Sequence, residues 1–227
     1  MINFLYNNEM RVLIFSDTHL SHVFDKKKYV FLRNIITKSD RVVINGDFWD
    51  GYLTTFDKFV ASKWKDLFPL LKKKQTIYLY GNHDKKKWSD ERVKLFSADQ
   101  RKSVVLDFGN YRLLIEHGDS IVHKIDSLLP WLPRYVLFGY MSDYFLRLGI
   151  ISMGEAFLAF WNAKFNEKMM QHAREVCKEN EVLMCGHTHL AQLAINRHFA
   201  NSGLIRFGLG QYLLVENEEV KLIKDHY

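Results

Sequence analysis

Five short apolar runs, each ending in a polar cluster, set the rhythm of the chain. Residues 11–15 run into Ser16, Asp17, Thr18 and His19, and residues 41–44 into Asn45, Gly46 and Asp47. Residues 76–80 run into Gly81, Asn82, His83 and Asp84, and residues 111–115 into Glu116, His117, Gly118 and Asp119. Residues 182–185 run into Gly186, His187, Thr188 and His189. Near-continuous apolar runs of this length predict strands buried on both faces. Between them the spacing predicts helices over about 26–37 and 56–73. Strands that alternate with helices imply an α/β sheet, and in such sheets ligands bind outside the carboxyl ends of the strands. All five polar clusters lie at those ends, so one rule gathers residues from across the chain into one site.

Two further patterns complete the outline. Residues 211–216 and 219–223 predict a hairpin closing a second sheet. The stretch from about 120 to 180 is helical by pattern, and its first half is crowded with Leu, Trp, Tyr and Phe. It interrupts the alternation just before the last cluster and is expected to be an insertion packed over or beside the site. Residues 1–227 are read as one domain carrying that insertion.

Composition narrows this picture. With 48% hydrophobic residues the chain can bury a substantial core and is not disordered by composition. Cys177 and Cys185 show no paired or zinc-ribbon spacing, which suggests free thiols in a reducing compartment. The start, Met1 to Tyr6, lacks a basic, apolar and small-residue succession, so no secretory leader is expected and a cytoplasmic location is. No run of about 18 uncharged apolar residues predicts a spanning helix. The net charge of +6 draws on lysine runs at 26–28, 72–74 and 85–87. The first two read as solvated surface, whereas Lys85 and Lys86 follow a candidate catalytic cluster and are candidate contacts to an anionic substrate. No interleaving of aromatic and basic residues fits a nucleic-acid groove, and no nucleic-acid partner is expected.

The clusters themselves carry the chemistry. Divalent metals that activate water take carboxylate oxygens and imidazole nitrogens in a partly open shell. Asp17, His19, Asp47, Asn82, His117, His187 and His189 supply that set, each in a turn after a strand and most beside a glycine. A single Asp-x-His or a lone histidine is weak evidence. Five clusters in order, each closing an apolar strand, are much stronger.

Taken together, Asp17-Thr18-His19, Gly46-Asp47-Phe48-Trp49-Asp50, Gly81-Asn82-His83-Asp84, His117-Gly118-Asp119 and Gly186-His187-Thr188-His189 resemble the signature of the calcineurin-like metallophosphoesterases. The resemblance implies an α/β fold, a four-layer α/β/β/α sandwich of two mixed sheets. It implies two divalent metal ions, one on Asp17, His19 and His189, the other on Asn82, His117 and His187, with Asp47 bridging. Mn²⁺ is the first expectation, and Fe or Zn²⁺ suits the same donors. Two dications roughly 3.5–4 Å apart activate a water and clamp phosphoryl oxygens. His83 would face the substrate as a general acid, oriented by Asp50. Read without the resemblance, Asp50 serves as well for a turn or a helix cap.

Within that superfamily the pattern is most similar to the UDP-2,3-diacylglucosamine pyrophosphohydrolase group of lipid A synthesis. The similarity rests on residues 46–51, on His117 to Ser120 followed by an apolar insertion containing Trp131, Leu132, Pro133 and Arg134, and on residues 207–210. The departure is His83, where that group carries Arg. The implied substrate is phosphorylated, either a small molecule or lipid-linked, with Arg134 near its phosphates. The apolar insertion is open to three readings: a lipid cap with peripheral contact to the inner membrane, a dimer interface, or plain core. The alternatives in function are a general phosphodiesterase or phosphoprotein phosphatase, and a non-catalytic scaffold of the same fold.

Overall fold

Side-chain alternation along the strands sorts the core of the molecule into layers. The computed structural model describes residues 5–6, 10–109, 111–123 and 136–227. In its first sheet β2 (Val12–Phe15), β3 (Arg41–Asn45), β4 (Ile77–Leu79) and β5 (Asp99–Arg101) run parallel. The hairpin β12 (Leu209–Glu216) and β13 (Glu219–His226) continues that sheet antiparallel to β2, with the short β11 (Ile205–Arg206) beside β12. The second sheet runs in the order β1 (Leu5–Tyr6), β6 (Ser103–Phe108), β7 (Tyr111–Glu116), β8 (Glu181–Cys185), β10 (Phe199–Asn201) and β9 (Gln192–Ala194). It is mixed: β6 and β7 are antiparallel, β7 and β8 parallel.

On β2, Val12 and Ile14 face the second sheet. With Val43, Ile77 and Leu79 they meet Val104, Leu113, Ile115, Val182 and Met184. Leu13 and Phe15 face the other way. With Val42, Ile44 and Tyr78 they pack on α1 (Lys26–Thr37), α2 (Phe56–Ala61) and α3 (Phe68–Lys73). The far side of the second sheet, through Leu183, Cys185 and Phe199, meets Met169, Met170 and Ala173 of α5 (Glu155–Val176). Helices, sheet, sheet and helix form four layers, as expected. Each apolar side chain enclosed this way stabilises the fold by about 1.5–3 kcal/mol relative to exposure.

Several local expectations need correction. The helix expected over 56–73 is broken. Ser62 ends α2 with ψ 172° and caps a 3-10 turn over Lys63–Leu67, and α3 restarts with Pro69 in its first turn. The C-terminal hairpin closes no separate sheet but extends the one that carries the first three clusters. The lysine runs at 26–28 and 72–74 are not simply solvated. Lys28 is 5% exposed and its ammonium donates to the carbonyl of Thr18. Burial holds its pKa well below the usual lysine value. Lys74 donates to the carbonyls of Thr37 and Ser39 just past the end of α1. Strand β7 is not buried on both faces: Leu113 and Ile115 are buried, and their neighbours are only partly covered.

The 120–180 interval holds α4 (Val136–Met153) and α5, with a bend of 118° between them. Gly154, at φ +58°, occupies the break, a conformation that favours glycine. Among the described residues no single helix is long and apolar enough to cross a membrane. Leu137, Met141, Tyr144, Leu148 and Ile151 nevertheless form an exposed stripe on α4, and Phe160 of α5 is 77% exposed.

Candidate metal centre

The strand ends converge where the two sheets meet. Asp17 and His19 follow β2, Asp47 follows β3, Asn82 and His83 follow β4, His117 follows β7, and His187 and His189 follow β8. The loops are held in unusual backbone conformations. Asp17, His19, Asp47, His187 and His189 all have positive φ, between 45° and 65°. Left-handed residues other than glycine carry strain that the surrounding packing must hold, and such strain gathers at functional sites. Gly81 shows how close the backbones come: a Cβ there would lie 2.2 Å from Asp47 Oδ1.

Two donor clusters result. In the first, Asp17 Oδ1 lies 3.2 Å from His189 Nε2 and 3.7 Å from His19 Nε2, and the two imidazole nitrogens are 3.3 Å apart. In the second, His117 Nε2 lies 3.2 Å from both Asp47 Oδ2 and Asn82 Oδ1, with His187 completing the group. Asp47 Oδ2 stands between them, 3.8 Å from His19 Nε2 on the first side. Its other oxygen is engaged, accepting the backbone N–H of His83 at 2.8 Å. All seven expected donors are therefore assembled, with Asp47 offering one oxygen to both clusters.

The hydrogen bonds fix the tautomers. His117 Nδ1 donates to the Asn45 carbonyl at 2.8 Å, which keeps Nε2 unprotonated toward Asp47 and Asn82 when the ring is neutral. His187 Nε2 donates to the Val122 carbonyl at 3.1 Å, so its Nδ1 keeps the lone pair. His19 Nδ1 donates to Asp50 Oδ2 at 3.1 Å, which leaves Nε2 for the first cluster. Ligating histidines ordinarily pass their other N–H to a carbonyl or carboxylate in this way.

The electrostatics call for a cation. Burial by itself would raise the carboxyls of Asp17, Asp47 and Asp50. The facing imidazoles, His189, His117 and His83 respectively, outweigh it and hold all three well below the usual carboxylate range. Burial also opposes charge on His117, yet the Asp47 carboxylate pushes it up to about 10. Asp17 Oδ1 is fully buried and makes no hydrogen bond. A buried carboxylate oxygen with no hydrogen bond, faced by imidazole nitrogens, is what a divalent cation satisfies. Oxygen and imidazole donors gathered in this way could hold a metal ion.

Asp50 does more than expected. Its Oδ1 accepts from His83 Nδ1 at 3.1 Å while its Oδ2 holds His19, so one carboxylate orients both rings. Asp84, part of the third cluster but given no role from sequence, is structural here. It accepts the N–H of Gly81 and of Phe48, each at 2.7 Å, and ties the second cluster's loops together. Burial and the charge of Asp47 push its carboxyl up to about 6. Asn166, on α5, is given no role from sequence either. It accepts from Thr188 Oγ1 at 2.6 Å and donates to the Leu190 carbonyl at 3.0 Å, bracing the loop of His187 and His189. Its spacing of three, four and seven from Met169, Met170 and Ala173 is the available signal, a polar residue on an apolar helical stripe.

A pocket of about 380 Å³ opens over the clusters and contains His83. Its far wall is apolar and comes from α4 and α5: Phe145, Leu146, Phe157, Trp161 and Phe165. Of the expected substrate contacts, Lys85 and Lys86 do not line this pocket, and Lys85 lies over the Trp88 ring at 5.0 Å. Arg134 falls outside the described residues.

The family model for the calcineurin-like phosphoesterase superfamily domain matches residues 10–215. The chain belongs to that superfamily. No curated protein matches it. Among solved structures, the phosphoesterase YfcE from E. coli is similar, with 14% identity, a TM-score of 0.50, and coverage of 94% of this chain and 92% of that one. Vps29 from Entamoeba histolytica, solved with zinc, matches at 15% identity and a TM-score of 0.49, over 96% of this chain and 99% of that one. At such identities the likeness is one of fold. The narrower resemblance to the UDP-2,3-diacylglucosamine group receives no support from these neighbours.

Proposed function

We propose that this superfamily member is a hydrolase of phosphoric esters or pyrophosphates that works with two divalent metal ions. The observation that carries the reading is the pair of donor clusters sharing Asp47 Oδ2, with the hydrogen-bond-free Asp17 Oδ1 among them. When bound, the ions supply Lewis acidity toward phosphoryl oxygens and an activated water. Asp50 fixes the rings of His19 and His83 from one side. His83, on the pocket wall and held by Asp50, is placed to give a proton to the leaving oxygen. The rigid turns hold these groups before substrate arrives, which lowers the reorganisation needed in the transition state. A scaffold that had lost catalysis would have no use for the complete donor set together with His83. The test is hydrolysis of bis(4-nitrophenyl) phosphate by the Mn²⁺-loaded chain, with metal content measured in parallel. A loaded protein that leaves both this diester and 4-nitrophenyl phosphate intact would remove the enzymatic reading.

A finer reading concerns the leaving or retained group. The apolar wall continues outward, since Phe145 and Trp161 line the pocket and are also 57% and 54% exposed. This supports a lipid-linked substrate whose chains lie along α4 and α5. Each enclosed methylene adds about 0.8 kcal/mol. Acylated and deacylated forms of a nucleotide-linked sugar should then differ strongly in kcat/KM, and equal values would exclude the lipid reading.

A further inference from the structure

A second cleft, of about 370 Å³, is lined in part by His19. His19 and Arg206 line both cavities, so the two adjoin. Lys27, Lys28, Arg147 and Arg206 line the cleft, and Asp25 is the one acidic side chain among its lining residues. Asp25 is already engaged, accepting the N–H of Lys28 at 3.1 Å as the cap of α1. Asp143 pairs with Arg206 from the pocket side and offsets one of the four charges. Even with Lys28 left uncharged, the side chains of Lys27, Arg147 and Arg206 outnumber those of Asp25 and Asp143 by one.

Two of these cations are buried, which is the unusual part. Arg206 is 8% exposed and Lys28 5%. Lys28 donates to a backbone carbonyl, and among the described residues no carboxylate pairs with it. Burial disfavours the charged form of Lys28, and an anion seated in the cleft would favour it. Arg206 has five N–H donors in a fixed fork, more than Asp143 uses, and that fork matches phosphate geometry. Lys27 and Arg147, both exposed, come from different elements, α1 and α4, and reach the same opening.

We propose that this cleft is a subsite for a second phosphate group on the substrate, so that preferred substrates carry one phosphoryl group at the metal centre and another in the cleft. The proposal rests on the hydrolase reading for its first phosphate, and its test separates the two. Titration of inorganic phosphate into the Mn²⁺-loaded full-length chain, followed by calorimetry, should show two equivalents bound. Chelation removes the metal-dependent one and leaves the other. The double variant Lys27→Gln/Arg147→Gln, whose positions are exposed and outside the core, should lose the second and keep the first. A single equivalent that vanishes on chelation overturns the subsite and leaves the hydrolase reading standing. A single equivalent that survives chelation does the reverse. A series of 4-nitrophenyl phosphodiesters bearing a second phosphate on linkers of increasing length then identifies the source of the anion. The wild type should show a KM about tenfold lower at one linker length, and the double variant should show none. A flat series in the wild type would assign the cleft to free phosphate and overturn the two-phosphate substrate.

Discussion

The metal-centre loops and the α4–α5 lobe invert each other. In the loops, the carboxylates of Asp17, Asp47, Asp50 and Asp84 and several imidazoles lie almost fully enclosed. In the lobe, across the same pocket, Leu137, Met141, Tyr144 and Phe160 face outward. Both depart from the rule that charge stays out and apolar surface stays in. The loops can do so because each buried charge has an opposing group or a place for a cation. Among the described residues, nothing covers the outward apolar side chains of the lobe. Charge burial is therefore tied to a local and chemically specific partner.

The sharpest way to break the comparison is to remove the shared carboxylate. Asp47→Asn keeps the shape and leaves the clusters without their common anion. Hydrolysis should fall by about a thousandfold or more, as expected when several kcal/mol of transition-state stabilisation are lost. Metal content measured by mass spectrometry should drop with it. Near-wild-type turnover in the Asp47→Asn variant would mean the clusters do not act as one site.

His83→Ala should cost roughly a hundredfold in turnover at unchanged metal content, the usual scale for a positioned acid. Asp50→Asn should differ in kind, because Asp50 also holds His19. It should lower metal affinity by about tenfold or more as well as turnover. If the two variants behave alike in metal content, the link from Asp50 to His19 carries no weight.

The third test is pH. Without a cation, His117 is protonated up to about pH 10, and a metal ion has to displace that proton. Apparent metal affinity should therefore rise with pH, by about tenfold per unit between roughly 7 and 10 for one displaced proton. For the cation-free protein the sign is opposite. The raised pKa stabilises the fold fully below about 6.5, the unfolded value, and that contribution is lost as pH climbs through about 10. Calorimetry in buffers of different ionisation enthalpy reads the proton directly, and an affinity independent of pH would contradict the assignment.

The smallest effect belongs to the lobe. Leu137→Gln with Phe160→Gln should change stability by no more than about 0.5 kcal/mol each, because neither side chain is enclosed. A loss of several kcal/mol in thermal unfolding would show that these residues are covered in the working protein, as a dimer would cover them.

The ease of reading the sequence follows the same division. The strands that carry the metal clusters are legible because parallel strands enclosed on both sides must be apolar throughout, and their ends must then turn polar. β6 is harder to read because Ser103 and Asp107 break the run of Val104, Val105 and Leu106. The break at Ser62 is hidden because the residues around it keep a helical apolar spacing. Lys28 and Asn166 are hidden for a deeper reason. Their burial is set by partners far along the chain or by the carbonyl of a loop, and nothing local announces it. The double duty of Asp50 is of the same sort, since its spacing from Asp47 says nothing about His19.

Each donor cluster also draws on both sheets. The first joins Asp17 and His19, from the first sheet, to His189 from the second; the other joins Asp47 and Asn82 to His117 and His187. Asn45 crosses the same boundary, donating to the carbonyls of Glu116 and Met184 at 3.0 and 3.3 Å. Mechanically, the site is a rivet through two plates. A slip of one sheet past the other by a fraction of a residue would pull both clusters apart together, and bound cations would resist that slip. Metal loading would thus stiffen the molecule along one direction, the shear of its two sheets.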